Sequence, residues 1–291
     1  MTDGGGYTAH RYRGQDGLSL YYRDYAPAAG RQPPSLPAIL CLAGLSRNSK
    51  DFHEPATRFA ARGFRVICPD YRGRGQSARD PRPANYAPPA YLEDIRHLLT
   101  LLGLHRVIVV GTSLGGLLAM GMGATLPAAL AGAVLNDVGP EIPQKAIARI
   151  RAYLAARPVF PSWQAAAAYL KAASPHAADG SAAFWLRQAS MTFRENPAGE
   201  IVCDWDINLL RNFGTAPVPP VWPLFRSLAA IPLLTLRGAC SDLLTGETLA
   251  RMAAEIPAMA QAVIPGAGHA PTLTEPQSIA ALDAFLDRFD G

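Results

Sequence analysis

Residues 106–116, Arg-Val-Ile-Val-Val-Gly-Thr-Ser-Leu-Gly-Gly, constrain this chain more than any other segment. Val107, Ile108, Val109 and Val110 are all apolar and β-branched, as a strand covered on both faces requires. They run directly into Gly111-Thr112-Ser113-Leu114-Gly115, after which Leu117, Leu118 and Met120 continue as an apolar helix. Strand, Gly-x-Ser-x-Gly turn and helix, in that order, lift one serine hydroxyl to the edge of a parallel sheet, beside a helix N-terminus. Gly111 and Gly115 lack a Cβ, so strand and helix can close around a strained turn. A short glycine-serine motif arises easily by chance. Its setting between strand and helix is what marks Ser113 as a nucleophile.

A serine used in this way needs an acid and then a histidine further along the chain. Two more strand-like runs, 231–236 and 262–265, each lead into a polar loop. The first loop reads Arg237-Gly238-Ala239-Cys240-Ser241-Asp242, and the second reads Gly266-Ala267-Gly268-His269-Ala270-Pro271. Asp242 and His269 therefore fall just past strand ends, on the edge where open α/β sheets build their sites. The other histidines (His10, His53, His97, His105 and His176) lack this Gly-x-Gly-His setting and read as surface residues.

Four segments, 69–77 (Pro-Asp-Tyr-Arg-Gly-Arg-Gly-Gln-Ser), 111–116, 236–242 and 266–271, give the chain its resemblance to the α/β-hydrolase superfamily. The resemblance covers nearly the whole chain, apart from the first few residues and much of 140–226. It implies a Ser113–Asp242–His269 triad, with the Leu45 and Leu114 backbone N–H groups as the oxyanion hole. Relatives usually carry His-Gly where this chain has Ala43-Gly44; the donor is backbone, so its function survives, but the loop must be supported differently. Asp137 is the rival acid, since some members place it after the preceding strand. The Arg-Gly-x-x-Ser-Asp context matches the commoner arrangement and favours Asp242, whose alternative use is to cap the helix starting near Gly246. Asp70 reads as structural, bonding the 71–77 loop in place.

Strand and helix signals alternate from residue 38 to 138, which implies right-handed crossovers in a mainly parallel sheet. The rhythm stops near Pro140, where alanine-rich helical stretches and no strand follow, and resumes at Ile231. The expected architecture is a mostly parallel, eight-stranded α/β sheet flanked by helices. Residues 1–139 and 227–291 form its core, and 140–226 form an inserted helical cap. All four tryptophans lie between 163 and 222, which favours a bulky, apolar or aromatic substrate. Candidate substrate-contacting residues are Trp163 and Trp185 in the insertion, and Arg47 and Asn48 beyond the oxyanion loop.

Hydrophobic residues make up 49% of the 291 and charged residues 17%, which suits a large buried core. The net charge of +4 comes from scattered arginines, which argues against a nucleic-acid partner. The N-terminus shows no basic-then-apolar leader, and no apolar run approaches the roughly 18 residues of a membrane helix. The expected location is cytoplasmic. Cys41, Cys68, Cys203 and Cys240 have no metal-binding spacing, so neither metal nor cofactor is expected; oligomeric state is left open. The expected activity is hydrolysis of a small to medium, largely apolar carboxylic ester through an acyl-enzyme. A lactone, or a carbon–carbon bond in a ring-cleavage product, is the alternative with the same triad. A non-catalytic small-molecule receptor is a third reading.

Overall fold

The structure is a computed structural model and describes residues 2–3, 6–28, 36–174, 176–177, 179–212 and 218–289. Among these, the strands are β1 (Thr2–Asp3), β2 (Tyr7–Arg13), β3 (Ser19–Tyr25), β4 (Ala38–Leu42), β5 (Val66–Asp70), β6 (Val107–Thr112), β7 (Leu130–Asn136), β8 (Phe193–Glu195), β9 (Ile201–Cys203), β10 (Leu233–Gly238) and β11 (Ala260–Ile264). The helices are α1 (His53–Ala61), α2 (Pro88–Leu101), α3 (Leu114–Thr125), α4 (Gln144–Ala156), α5 (Trp163–Ala173), α6 (Ala182–Thr192), α7 (Trp222–Arg226), α8 (Gly246–Glu255) and α9 (Pro276–Leu286).

The main sheet has the order β1-β2-β3-β5-β4-β6-β7-β10-β11. Its eight longer strands are the expected mostly parallel sheet flanked by helices, and the two-residue β1 adds to one edge. β2 and β3 run antiparallel and open the sheet; from β5 to β11 neighbouring strands are parallel. Every residue of β4, β5 and β7 is buried, as expected of central strands covered by helices on both faces. α3 is apolar nearly all round and lies buried on this sheet, with its N-terminus at the C-terminal end of β6. Among the described residues, no helix is long and apolar enough to cross a membrane.

The segment between β7 and β10 contains α4 to α7 and a small antiparallel hairpin, β8–β9, where the sequence suggested helices alone. Strands of three residues are too short to show a period of two, which is why the pattern does not reveal them. Burial explains why they form. Phe193 and Ile201 are buried, and Phe160 bonds the Ile201 backbone in both directions at 2.9 Å. A row of rings, Tyr153–Trp205–Phe193–Phe160–Tyr169, with centroids 5.2 to 6.2 Å apart, holds α4, α5 and the hairpin together.

Candidate active site

Ser113 occupies the turn between β6 and α3 with φ 54° and ψ −114°, a backbone conformation that a residue with a Cβ rarely adopts. The turn is held at both ends. Ser113 N–H donates to Asn136 O at 3.0 Å, and Ser113 O accepts from the N–H groups of Gly116 and Leu117. A Cβ on Gly111 would sit 2.3 Å from Gly115 O, and one on Gly115 would sit 2.0 Å from Leu42 O. Only glycine permits this approach of helix to strand, and the approach projects the serine side chain from the sheet edge.

His269 lies on the loop after β11, with Nε2 3.0 Å from Ser113 Oγ and Nδ1 2.7 Å from Asp137 Oδ2. Asp137 follows β7 directly, is fully buried, and has a left-handed backbone with φ 57°. Its Oδ1 accepts the Gly238 N–H at 2.8 Å, and its Oδ2 accepts the Ser241 hydroxyl at 2.6 Å. Three protein donors thus converge on one buried carboxylate, which offsets the cost of taking the charge out of water.

Asp242 does not reach His269, which corrects the triad expected from the sequence. Ser241 turns inward to Asp137, and Asp242, the next residue, turns outward to α4. There it forms a two-pronged ion pair with Arg149, Nε to Oδ2 at 2.7 Å and Nη2 to Oδ1 at 2.8 Å. Partial burial opposes ionisation of Asp242, but the hydrogen bond and charge of Arg149 outweigh it and hold the carboxyl below its usual range. Nor does Asp242 cap the next helix: the Thr245 hydroxyl does so by accepting the Thr248 N–H at 3.0 Å.

The 43–48 loop passes beside the serine: a Cβ built on Gly44 would lie 3.8 Å from Ser113 Cβ. Among the described residues, the N–H groups of Leu45 and Leu114 have no hydrogen-bond partner. The loop's carbonyls are held instead. Tyr71 OH donates to Ala43 O at 3.1 Å, and Arg74 Nε donates to Leu45 O at 2.9 Å. Arg74 is only 1% exposed, lies 4.8 Å from the centroid of the Tyr91 ring, and donates to Tyr91 OH at 2.8 Å. These two side chains support the loop that Ala43 leaves without a histidine. Asp70 ties down the next stretch, accepting the Ser49 N–H at 2.7 Å and the Gln76 N–H at 2.8 Å.

Arg47 and Asn48, expected among the substrate contacts, bond the segment between β7 and β10. Arg47 grips Asp51 with Nε and Nη2 and donates to the Thr192 hydroxyl of α6. Asn48 is buried; its Nδ2 donates to Asp204 at 3.2 Å and its Oδ1 accepts the Lys50 N–H at 3.0 Å. Both polar ends of Asn48 are therefore used within the protein. Trp185 is buried edge-on to Phe184, with ring centroids 5.1 Å apart, and Trp163 is half-buried at the start of α5. Sequence reasoning missed Ser241, Tyr71 and Arg74. Their only signal is membership of the loops that carry Asp242 and the Pro-Asp-Tyr-Arg-Gly-Arg segment.

Among the described residues, no group of three or more His, Cys, Asp or Glu side chains is arranged to hold a metal ion. Ser113, His269 and Asp137 form a hydrogen-bonded line from a hydroxyl on a strained turn through an imidazole to a buried carboxylate. Such a line can take a proton from the hydroxyl while the oxygen attacks an electrophilic carbon.

Most of the chain is similar to known proteins. The profile described as the alpha/beta hydrolase family matches residues 39–282. The 3-hydroxybutyrate-oligomer hydrolase of Cupriavidus necator is 32% identical over 264 residues, which cover 87% of this chain and 89% of that protein. The 2-(acetamidomethylene)succinate hydrolase of Mesorhizobium japonicum is 27% identical over 88% of this chain and 90% of that one. A crystal structure of an alpha/beta hydrolase from Novosphingobium aromaticivorans superimposes with a TM-score of 0.90 at 42% identity, covering 97% of this chain and 99% of that one.

Proposed function

The chain belongs to the alpha/beta hydrolase family, and from that premise we propose that it hydrolyses carboxylic esters through an acyl-enzyme on Ser113. The observation that carries this reading is the continuous hydrogen-bonded line from Ser113 Oγ through His269 to Asp137.

In the first half-reaction, His269 Nε2 accepts the Ser113 proton as Oγ bonds to the ester carbonyl carbon. The carbonyl oxygen becomes an oxyanion and takes hydrogen bonds from the Leu45 and Leu114 N–H groups, each worth about 3 kcal/mol in such sites. Asp137 fixes the tautomer of His269 and stabilises the imidazolium. The imidazolium then protonates the leaving alkoxide as the carbon–oxygen bond breaks. In the second half-reaction, water gives a proton to His269 and adds to the acyl carbon, and collapse of the adduct returns the proton to Ser113 and frees the acid. Every step uses groups of this chain and water alone.

The segment 140–226 acts as a cap over this centre in the proposal. Three ties support the reading: Arg149 to Asp242, Thr192 to Arg47, and Asp204 to Asn48. The Cupriavidus relative is, by its name, a hydrolase of 3-hydroxybutyrate oligomers, whose units are short hydroxy acids joined by ester bonds. Short, largely apolar oligoesters of that chemistry are accordingly the proposed substrate class.

The test is turnover by the wild type and Ser113→Ala on a 3-hydroxybutyrate trimer, on p-nitrophenyl esters of rising chain length, on a simple lactone and on a vinylogous diketone. Ester cleavage lost in a folded Ser113→Ala protein is the expected result. Ester cleavage unchanged in that variant, or cleavage of the lactone or diketone alone, overturns the proposal.

A further inference from the structure

A concave region lies between the 71–80 loop and the β8–β9 hairpin. Its volume is about 330 Å³, and neither Ser113, His269 nor Asp137 lines it. That volume lies at the lower end of ligand-sized cavities, which begin at about 300 Å³. The lining divides by chemistry. Val159, Trp205 and Ile207 supply apolar walls, while Arg79, Arg157 and Arg194 supply three guanidinium groups; among the described residues, no carboxylate lines it.

Near the main site, Arg47 is matched by Asp51 and Arg149 by Asp242. The groove differs. Among the described residues, Arg79 and Arg157 have no acidic partner, and Arg194 stands 3.8 Å from Asp204, which is more closely paired with Lys50 at 2.8 Å. Burial pushes the Cys203 thiol, also in the lining, up to about 11, so it brings no negative charge at neutral pH. Arg157 ends α4 in a left-handed conformation, φ 43°, a position that usually falls to glycine. Val159, two residues on, is 57% exposed, an unusual exposure for a large apolar side chain. Three like charges around an apolar hollow repel one another until an anion joins them, and the walls favour an anion with an apolar body.

We infer that this groove is a second binding site, selective for a short-chain organic anion such as a carboxylate with an aliphatic tail. The carboxylate lies among Arg79, Arg157 and Arg194, and the tail lies on Trp205, Ile207 and Val159. The inference does not depend on which bond Ser113 attacks.

Isothermal titration of the full-length protein with hexanoate, in low-salt buffer, tests it. One saturable site is expected, weakened about tenfold or more in Arg79→Gln/Arg157→Gln and largely retained in Arg79→Lys/Arg157→Lys. Both arginines are exposed, so the double variant should unfold at the temperature of the wild type. Its turnover of p-nitrophenyl acetate should be unchanged, which separates the groove from the Ser113 centre. The neutral isostere 1-hexanol, and inorganic phosphate, should each bind more weakly than hexanoate. No binding of hexanoate, binding undiminished in the glutamine variant, or equal binding of hexanol or phosphate overturns the inference. Absence of ester turnover in the wild type would overturn the proposed function and leave this titration readable.

Discussion

Asp137 Oδ2 lies 2.7 Å from His269 Nδ1, and the same oxygen accepts the hydroxyl of Ser241. The acid of the proposed triad therefore follows β7, and the loop after β10 contributes a serine that positions it. Replacing Asp137 with Asn should lower kcat/KM on an ester by roughly a thousandfold or more, because the amide favours the wrong imidazole tautomer. Asp242→Asn should stay within about threefold of wild type, since it alters only a partly exposed ion pair. Steady-state kinetics on both variants check the assignment, and a larger loss in Asp242→Asn would reverse it.

Ser241→Ala removes one of the donors on Asp137 and leaves the other two in place. The expected effect is a fall in kcat of about tenfold with KM little changed, the cost of one charge-assisted hydrogen bond. Full progress curves separate kcat from KM. A change in KM alone would mean that Ser241 does not act through the acid.

Arg74 holds Leu45 O from inside a cage formed by Tyr71, Tyr86 and Tyr91. Lysine keeps the charge but not the planar fork, so Arg74→Lys should let the Leu45 N–H drift from its aim. The expected loss is about ten- to a hundredfold in kcat, part of what deleting an oxyanion donor costs, with KM nearly constant. An unaltered kcat would show that the Leu45 loop holds its position without Arg74.

Acid stability should depend on Arg72, which is buried and pairs with Asp16, Asp80 and Asp94. Burial opposes ionisation of Asp16 and Asp80. Hydrogen bonds outweigh it, from Arg72 and the Leu18 N–H on Asp16 and from the Arg82 N–H, Asn85 and Arg72 on Asp80, and both carboxyls lie below their usual range. A carboxyl depressed in the folded state stabilises the fold above its unfolded value, about 3.9, and loses that contribution as pH falls through the folded value. Asp94, raised chiefly by burial, works in the opposite sense. The melting temperature should therefore fall below about pH 4, and Arg72→Gln should make that decline shallower. An unchanged slope in Arg72→Gln would remove this cluster from the account.

What the sequence made legible was local. The β6–turn–α3 unit is contiguous, so its apolar run and two glycines specify Ser113 without reference to the rest of the chain. His269 carries a comparable local signature after β11. The choice between Asp137 and Asp242 is not local: both follow strands, and the outcome depends on the Gly238 N–H and Ser241 hydroxyl pointing at one of them. Arg74 was hidden for a similar reason. A charged residue in a polar loop reads as solvated, and only the three tyrosines around it, one of them on α2, account for its burial.

The central claim is that Ser113 is an activated nucleophile. Its most direct measurement is intact-protein mass spectrometry after treatment with a fluorophosphonate probe, followed by peptide mapping. One adduct per chain, mapped to Ser113, absent in Ser113→Ala and formed far more slowly in Asp137→Asn, is the predicted result. An adduct on another residue, or equal labelling of Asp137→Asn and wild type, would contradict the account.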